Sequence, residues 1–198
     1  MKRAQAITDA AFAHMLEFIR PGLTEKQIKL ELENFMFENG ADGLAFGSIV
    51  AAGPNAANPH AIPSDRPVQK GEFVLMDYGA RYHDYDSDMT RTVAVGEPSA
   101  KMREIYDLVQ RTHEECAKAV YAGVDGNEIH ELSRKIIGDA GYGEYYGHGL
   151  GHGVGIDIHE LPNFGRTHNT VGRAPSSRSS RACTCPGSSV FALRTTVS

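Results

Sequence analysis

His148-Gly-Leu-Gly-His152-Gly-Val-Gly-Ile-Asp157-Ile-His159-Glu160-Leu-Pro162 places three imidazoles and two carboxylates in one glycine-laced run. Imidazole ligates metals and carries protons near neutral pH, and the glycines let backbone approach a ligand that side chains would block. His148 and His152 are four apart, as on one face of a helix. The glycines between them argue against a helix, and the glutamate of a His-Glu-x-x-His zinc motif is absent. The run is therefore β or loop. In extended backbone His148, Leu150, His152, Val154, Ile156 and Ile158 share a face, and His159 takes the other unless a bulge re-aims it. The Gly-x-Gly alternation also suggests a phosphate loop, but no Lys-Ser/Thr pair or helix start follows it.

Upstream, Ile7, Ala10, Ala11, His14, Met15 and Phe18 recur at helical spacing, and Arg20-Pro21-Gly22 stops that helix. Thr24 with Gln27 is a capping box for a second helix carried by Ile28, Leu32 and Phe35 and ended by Asn39-Gly40. Residues 48–52, 72–78 and 90–95 read as strands. Met102, Ile105, Val109, Cys116 and Val120 then mark a long helix, with Ser99 its expected cap, and Ile129, Leu132 and Ile136 a further one starting after Asn127 and ending at Gly141. Two helices, strands, two helices and the histidine-rich segment give an α+β order rather than alternating βα units.

The 198 residues are 41% hydrophobic and 23% charged, enough for one ordinary domain with a sizeable core. A net charge of −5 gives no reason to expect nucleic-acid binding, and no apolar run approaches the roughly 20 residues of a membrane span. The N-terminus lacks the apolar stretch of a secretory signal, so a cytoplasmic protein is expected. Of the three cysteines, Cys116 reads as a core residue and Cys183 and Cys185 are too close to staple anything, so no disulfide framework follows. Beyond Glu160 there is no Asp or Glu, and from Gly172 the chain has seven Ser, four Arg and no amphipathic period. Residues 171–198 therefore read as a disordered or non-native tail after a domain spanning 1–170.

Asp77 and Asp88 flank a turn. With a hairpin centred between Tyr82 and His83 they oppose each other, Cβ atoms about 5 Å apart. Two such carboxylates repel unless one is protonated or a cation lies between them. The bland alternative is a solvated hairpin whose acids point outward. His60, in Asn-Pro-His, reads by itself as an exposed loop histidine.

Taken together, Asn58-Pro-His60, Asp77-x-Gly79, Tyr85-Asp-Ser-Asp88-x-Thr-Arg-Thr92 and His148-Gly-Leu-Gly-His152-x-x-Gly-x-x-x-His159-Glu160 resemble the pita-bread metallopeptidases. The branch they look most like is that of the Xaa-Pro aminopeptidases and prolidases. The resemblance implies a curved antiparallel sheet flanked by helices and a site for two divalent cations, manganese first, cobalt or zinc otherwise. It implies that Asp77, Asp88 and His152 are metal ligands, that His60 and His159 stabilise the scissile carbonyl and its tetrahedral intermediate, and that His148 lines the pocket for a peptide substrate. A creatinase-like amidinohydrolase shares the fold without metal, and retention of Asp77, Asp88 and His152 argues against it.

Two further glutamate ligands, expected in Thr-x-Glu-Pro-Gly-x-Tyr and Gly-x-Arg-x-Glu-Asp, are absent from the 198 residues. One is also the family's general base, so the chain is expected to be impaired, or to be a binding module without activity. A one-base shift of frame over residues 174–196, with permitted codons, can encode Thr-Val-Glu-Pro-Gly-Leu-Tyr and Gly-Val-Arg-Ala-Glu-Asp. That predicts a frameshift near Val171–Arg173, which coding DNA lacking that segment in the shifted frame would contradict. The resemblance also implies a preceding domain through which relatives dimerise, so it gives no oligomeric state here.

Overall fold

The computed structural model describes residues 1–58 and 60–172, and these fall into two compact units, Met1–Arg103 and the residues from Glu104 onward. In the first unit, α1 (Lys2–Phe18) buries Ala4, Ile7, Ala11 and Met15, one apolar stripe at helical spacing. Ile19 leaves the helix in extended backbone, φ −66° and ψ 124°, and Gly22 turns the chain at φ +94°. α2 (Glu25–Glu38) begins with the expected capping box: the Gln27 amide donates to the Thr24 hydroxyl at 3.1 Å and the Thr24 amide to the Gln27 side chain at 2.9 Å. Its core stripe is Ile28, Leu32 and Met36, with Phe35 only partly buried against the His14 ring.

These helices cover an antiparallel sheet in the order β2 (Ile49–Ala52), β3 (Phe73–Tyr78), β6 (Met89–Ala94). All six residues of β3 are buried, as befits the central strand. Beside it lies a sheet in the order β1 (Gly43–Leu44), β4 (Ala80–Tyr82), β5 (Tyr85–Asp86), also antiparallel. The core gathers Ile28, Leu32, Met36, Val74, Met76 and Tyr78, and each fully buried aliphatic side chain contributes about 1.5–3 kcal/mol. Burial drives the Tyr78 phenol well above its ordinary range, so it stays protonated.

The hairpin register differs from the sequence expectation. Tyr82 pairs with Tyr85 across a two-residue turn, His83 and Asp84, both left-handed at φ 49° and 63°. That is the type I′ geometry, whose twist matches the flanking strands. The turn centre therefore lies one residue later than expected, and the whole ladder shifts by two. Asp77 opposes Thr90, not Asp88. A shift of two preserves the faces, so the Asp88 position remains on the Asp77 side of the ribbon as a diagonal neighbour.

In the second unit, α3 (Ala100–Ala119) and α4 (Gly126–Asp139) are followed by the antiparallel pair β7 (Gly151–Gly153) and β8 (Glu160–Phe164). Cys116, Val124, Ile129, Leu150, Phe164 and Val171 form its core. Desolvation pushes the Cys116 thiol up to about 11, leaving an inert core group. α4 starts one residue before Asn127 because Asp125 is its cap, accepting the Asn127 amide at 3.0 Å. Val171 exchanges backbone hydrogen bonds with Gly123 and Val124, both 2.8 Å, so pairing continues one residue past the expected boundary at 170. The rest of the tail, from residue 173, lies outside the described residues.

The cap makes a pH prediction. His168, then the amides of Asn127 and Asn169, hold the Asp125 carboxyl below its ordinary range. A depressed carboxyl stabilises the fold above its unfolded value, about 4, and that stabilisation is lost as pH falls through the lower folded value. Thermal melting of the native chain should therefore worsen more steeply on acidification than that of Asp125→Ala. Parallel pH profiles for the two proteins would show that the cap carries no such linkage.

Candidate metal centre

In the first unit, Asp77 sits on the central strand at 3% exposure, and the Thr90 hydroxyl across the ladder donates to its Oδ1 at 2.8 Å. Asp88 is half-buried and follows Ser87. The Ser87 hydroxyl lies 2.7 Å from that of Thr8 on α1, donates to the Ala80 carbonyl at 2.9 Å and accepts the Ala80 amide at 2.9 Å. This buried knot fixes the backbone at the point where Asp88 leaves it.

His60 lies in an exposed turn, its amide donating to Asn58 Oδ1 at 2.9 Å. The segment around it is tied to Glu25, a fully buried carboxylate in the first turn of α2. Glu25 accepts the Ala52 amide at 2.7 Å, the Asn55 side-chain amide at 2.9 and 3.0 Å, and the Ser64 amide and hydroxyl at 2.8 and 2.7 Å. A fully satisfied buried carboxylate of this kind holds loop backbone in one conformation.

In the second unit, His130, His148, His152, His159, Asn163 and Arg166 are among the residues lining a cavity of about 530 Å³. His152 Nδ1 lies 3.0 Å from the Gly153 carbonyl and His148 Nδ1 2.7 Å from the Gly149 carbonyl. A carbonyl only accepts, so each Nδ1 carries its proton, and in the neutral ring Nε2 holds the lone pair. A backbone carbonyl behind Nδ1 is the usual orienting partner of a metal-ligating imidazole. The pairing of β7 with β8 slips between His152, opposite Asn163, and Gly153, opposite Glu160. This is the bulge that the sequence left open, and it brings His159 against His152 with ring centroids 4.2 Å apart. Glu160 closes the turn by accepting the Ile156 and Asp157 amides at 2.8 and 3.1 Å.

Helical periodicity does not reveal that His130 of α4 is buried and lines this cavity. On α4 the buried face carries His130 and Ser133 with Ile129 and Ile137, rotated from the expected Ile129, Leu132, Ile136 stripe. Ser133 Oγ lies 3.1 Å from the Tyr146 hydroxyl, and the Tyr146 ring meets His148 edge-on with centroids 5.0 Å apart. Desolvation raises the Tyr146 phenol to about 12. Burial holds His130 below the ordinary imidazole range, with Arg134, Arg166 and His148 pushing the same way against Glu131. The only signal in the sequence was a histidine beside Ile129 within a helical period.

Each unit by itself carries donors of the kind divalent cations such as manganese, cobalt or zinc accept: in the first the carboxylates of Asp88 and of Asp77, the latter held by Thr90, and in the second the His152 imidazole backed by the Gly153 carbonyl. Among the described residues no group of three His, Cys, Asp or Glu side chains stands together as a metal cage. None of the helices described is long and apolar enough to cross a membrane.

Residues 1–182 match the profile of metallopeptidase family M24. The chain is 39% identical over 171 residues to a Xaa-Pro dipeptidase of Pyrococcus furiosus, covering 86% of this chain and 49% of that protein. It is 42% identical over 164 residues to an uncharacterised peptidase of Bacillus subtilis, covering 83% and 46%. Among solved structures, X-Pro aminopeptidase from Thermotoga maritima aligns with TM-score 0.83 at 40% identity, covering 85% of this chain and 48% of that one. The Xaa-Pro dipeptidase from Bacillus anthracis aligns with TM-score 0.83 at 46% identity, covering 86% and 48%. The chain thus spans about half the length of the relatives it matches.

Proposed function

The chain belongs to metallopeptidase family M24, and from that premise we propose that it carries part of the site of a metal-dependent exopeptidase that removes or splits residues N-terminal to proline. The observation that carries the reading is the paired orientation of the candidate ligands, Asp77 by Thr90 and His152 by the Gly153 carbonyl, within this family's framework. Asp77, Asp88 and His152 would hold two divalent cations, manganese by preference and cobalt or zinc otherwise. Ions so held lower the pKa of a water and neutralise charge developing on a peptide carbonyl. His60 and His159 would donate hydrogen bonds to that carbonyl oxygen, and His148, set by Tyr146, would line the pocket for the peptide.

In the proposal these 198 residues provide three of five ligands and no general base, since no Asp or Glu follows Glu160. Cation affinity by the chain alone is then weak. That same absence favours a second reading, a pita-bread module that binds peptides without cleaving them. A frameshift near Val171–Arg173 would account for the lost ligands. Calorimetric titration with Mn²⁺ tests the ligand assignment. Weak binding should be detectable in the native chain and lost in Asp77→Asn and Asp88→Asn at unchanged fold. Binding indifferent to both substitutions would refute it.

A further inference from the structure

We propose that Asn39-Gly40 is a self-modification site, where the chain converts its own asparagine to isoaspartate and aspartate through a cyclic imide, at a rate set by opening of the last turn of α2. The proposal is independent of the peptidase reading, since neither residue belongs to the candidate metal centre.

The chain has seven asparagines, and only Asn39 is followed by glycine. Asn58 precedes proline, which has no N–H to lose, and the other five precede residues whose side chains crowd the next amide nitrogen. Asn39 and Gly40 are both exposed. The place a Cβ would take on Gly40 has no heavy atom beyond its chain neighbours within 4 Å, so the nitrogen is unshielded on that side. Gly40 stands at φ +94°, a backbone conformation that favours glycine here.

The step is a transfer within the chain. The Gly40 amide nitrogen gives its proton to solvent base and attacks Asn39 Cγ. A nitrogen–Cγ bond forms, the Cγ–Nδ2 bond breaks, and Nδ2 leaves as ammonia with a proton from water. Water then opens the imide. Rupture at Cγ leaves aspartate, and rupture at the Asn39 backbone carbonyl leaves isoaspartate, whose main chain is one methylene longer. Nothing is oxidised or reduced.

The fold sets the rate because both reacting groups are tied to the helix end. Asn39 Nδ2 donates to the Phe35 carbonyl at 2.8 Å, and the Gly40 amide to the Phe37 carbonyl at 3.0 Å. Both bonds must break before the nitrogen can turn onto Cγ. They lie at an exposed helix end, where fraying is easiest. The product then acts back on the helix. A carboxylate only accepts, so it cannot replace the bond to the Phe35 carbonyl, and its charge meets the negative end of the helix dipole. No basic residue in the last turn of α2 offsets that charge. In isoaspartate the extra methylene enters the short connection to β1, whose Gly43 pairs with Arg81.

The full chain, incubated under native conditions and in denaturing urea, then digested and sequenced by mass spectrometry, tests the site. The native chain should gain a carboxyl at Asn39 before any other asparagine, about tenfold or more slower than in urea. A protease that cuts before aspartate should leave a resistant isoaspartate fraction at that position. Asn39→Asp, standing for the aspartate product, should exchange the Gly40 and Ala41 amides about two- to fivefold faster than the native chain. Conversion confined to the urea sample, earlier conversion at another asparagine, or equal rates with and without urea would each overturn the proposal. Complete cleavage at residue 39 would overturn the imide route, and unchanged exchange in Asn39→Asp would overturn the loosening of α2.

Discussion

Replacing Gly79 with alanine is expected to destabilise the chain by about 3 kcal/mol or more, at the upper end for a single added methyl. A Cβ built on Gly79 would lie 1.8 Å from the Ser87 carbonyl oxygen and 3.1 Å from the Ala45 side chain. The first contact is with backbone, so no rotamer change relieves it. The strands at this point are locked by the Ala80 amide on Ser87 Oγ and the Ser87 amide on the Ala80 carbonyl, both 2.9 Å. The ladder must part between Asp77 and Asp88 to admit the methyl, so cation binding should fall along with the urea midpoint. Stability within about 0.5 kcal/mol of the native chain would mean that the strands do not approach as described.

Glu25→Ala should be of similar size, about 3 kcal/mol or more, because it strands the buried Ala52 amide, the half-buried Ser64 amide and the Asn55 side chain without an acceptor. Glu25→Gln keeps the volume but turns an amide NH₂ toward donors, so it should lose less than alanine and still be measurably weaker. The damage should concentrate in the segment that carries His60. Hydrogen exchange at Ala52 and Ser64 should accelerate in both variants by more than the global loss of stability accounts for. Exchange rates at those amides that merely follow global unfolding would show that Glu25 contributes to the core without holding that loop.

The two carboxyl-dependent features differ in how visible they were in the sequence. Asp77 and Asp88 stand in a motif whose spacing announces paired acids, yet their register depended on a turn at His83-Asp84 that needs two left-handed residues, and neither is glycine. The expected turn, one residue earlier, made them directly opposed; the structure opposes Asp77 to Thr90. Glu25 stands in no motif, and only the approach of Ala52, Asn55 and Ser64, distant in sequence, turns it into an internal anchor. Helix periods were legible, since capping and apolar spacing are local. Which face of α4 meets the core was not, because His130 and Ser133 are buried by contacts with Tyr146, a residue beyond the helix. The possible bulge near His159 was legible as a condition, and the slip between β7 and β8 fulfils it.

The family assignment explains why four motifs occur in one order, and it sharpens what the histidine run means. His152 is the only metal ligand the run contributes to the proposed dinuclear centre, with His148 and His159 left for substrate. Whether 198 residues suffice for the reaction is the question on which the account turns. Hydrolysis of a Xaa-Pro dipeptide by the purified chain with added Mn²⁺ answers it most directly. The account predicts little or no turnover, because two of five proposed ligands and the proton acceptor are not among these residues. Robust, Mn²⁺-dependent turnover by the 198-residue chain would contradict it.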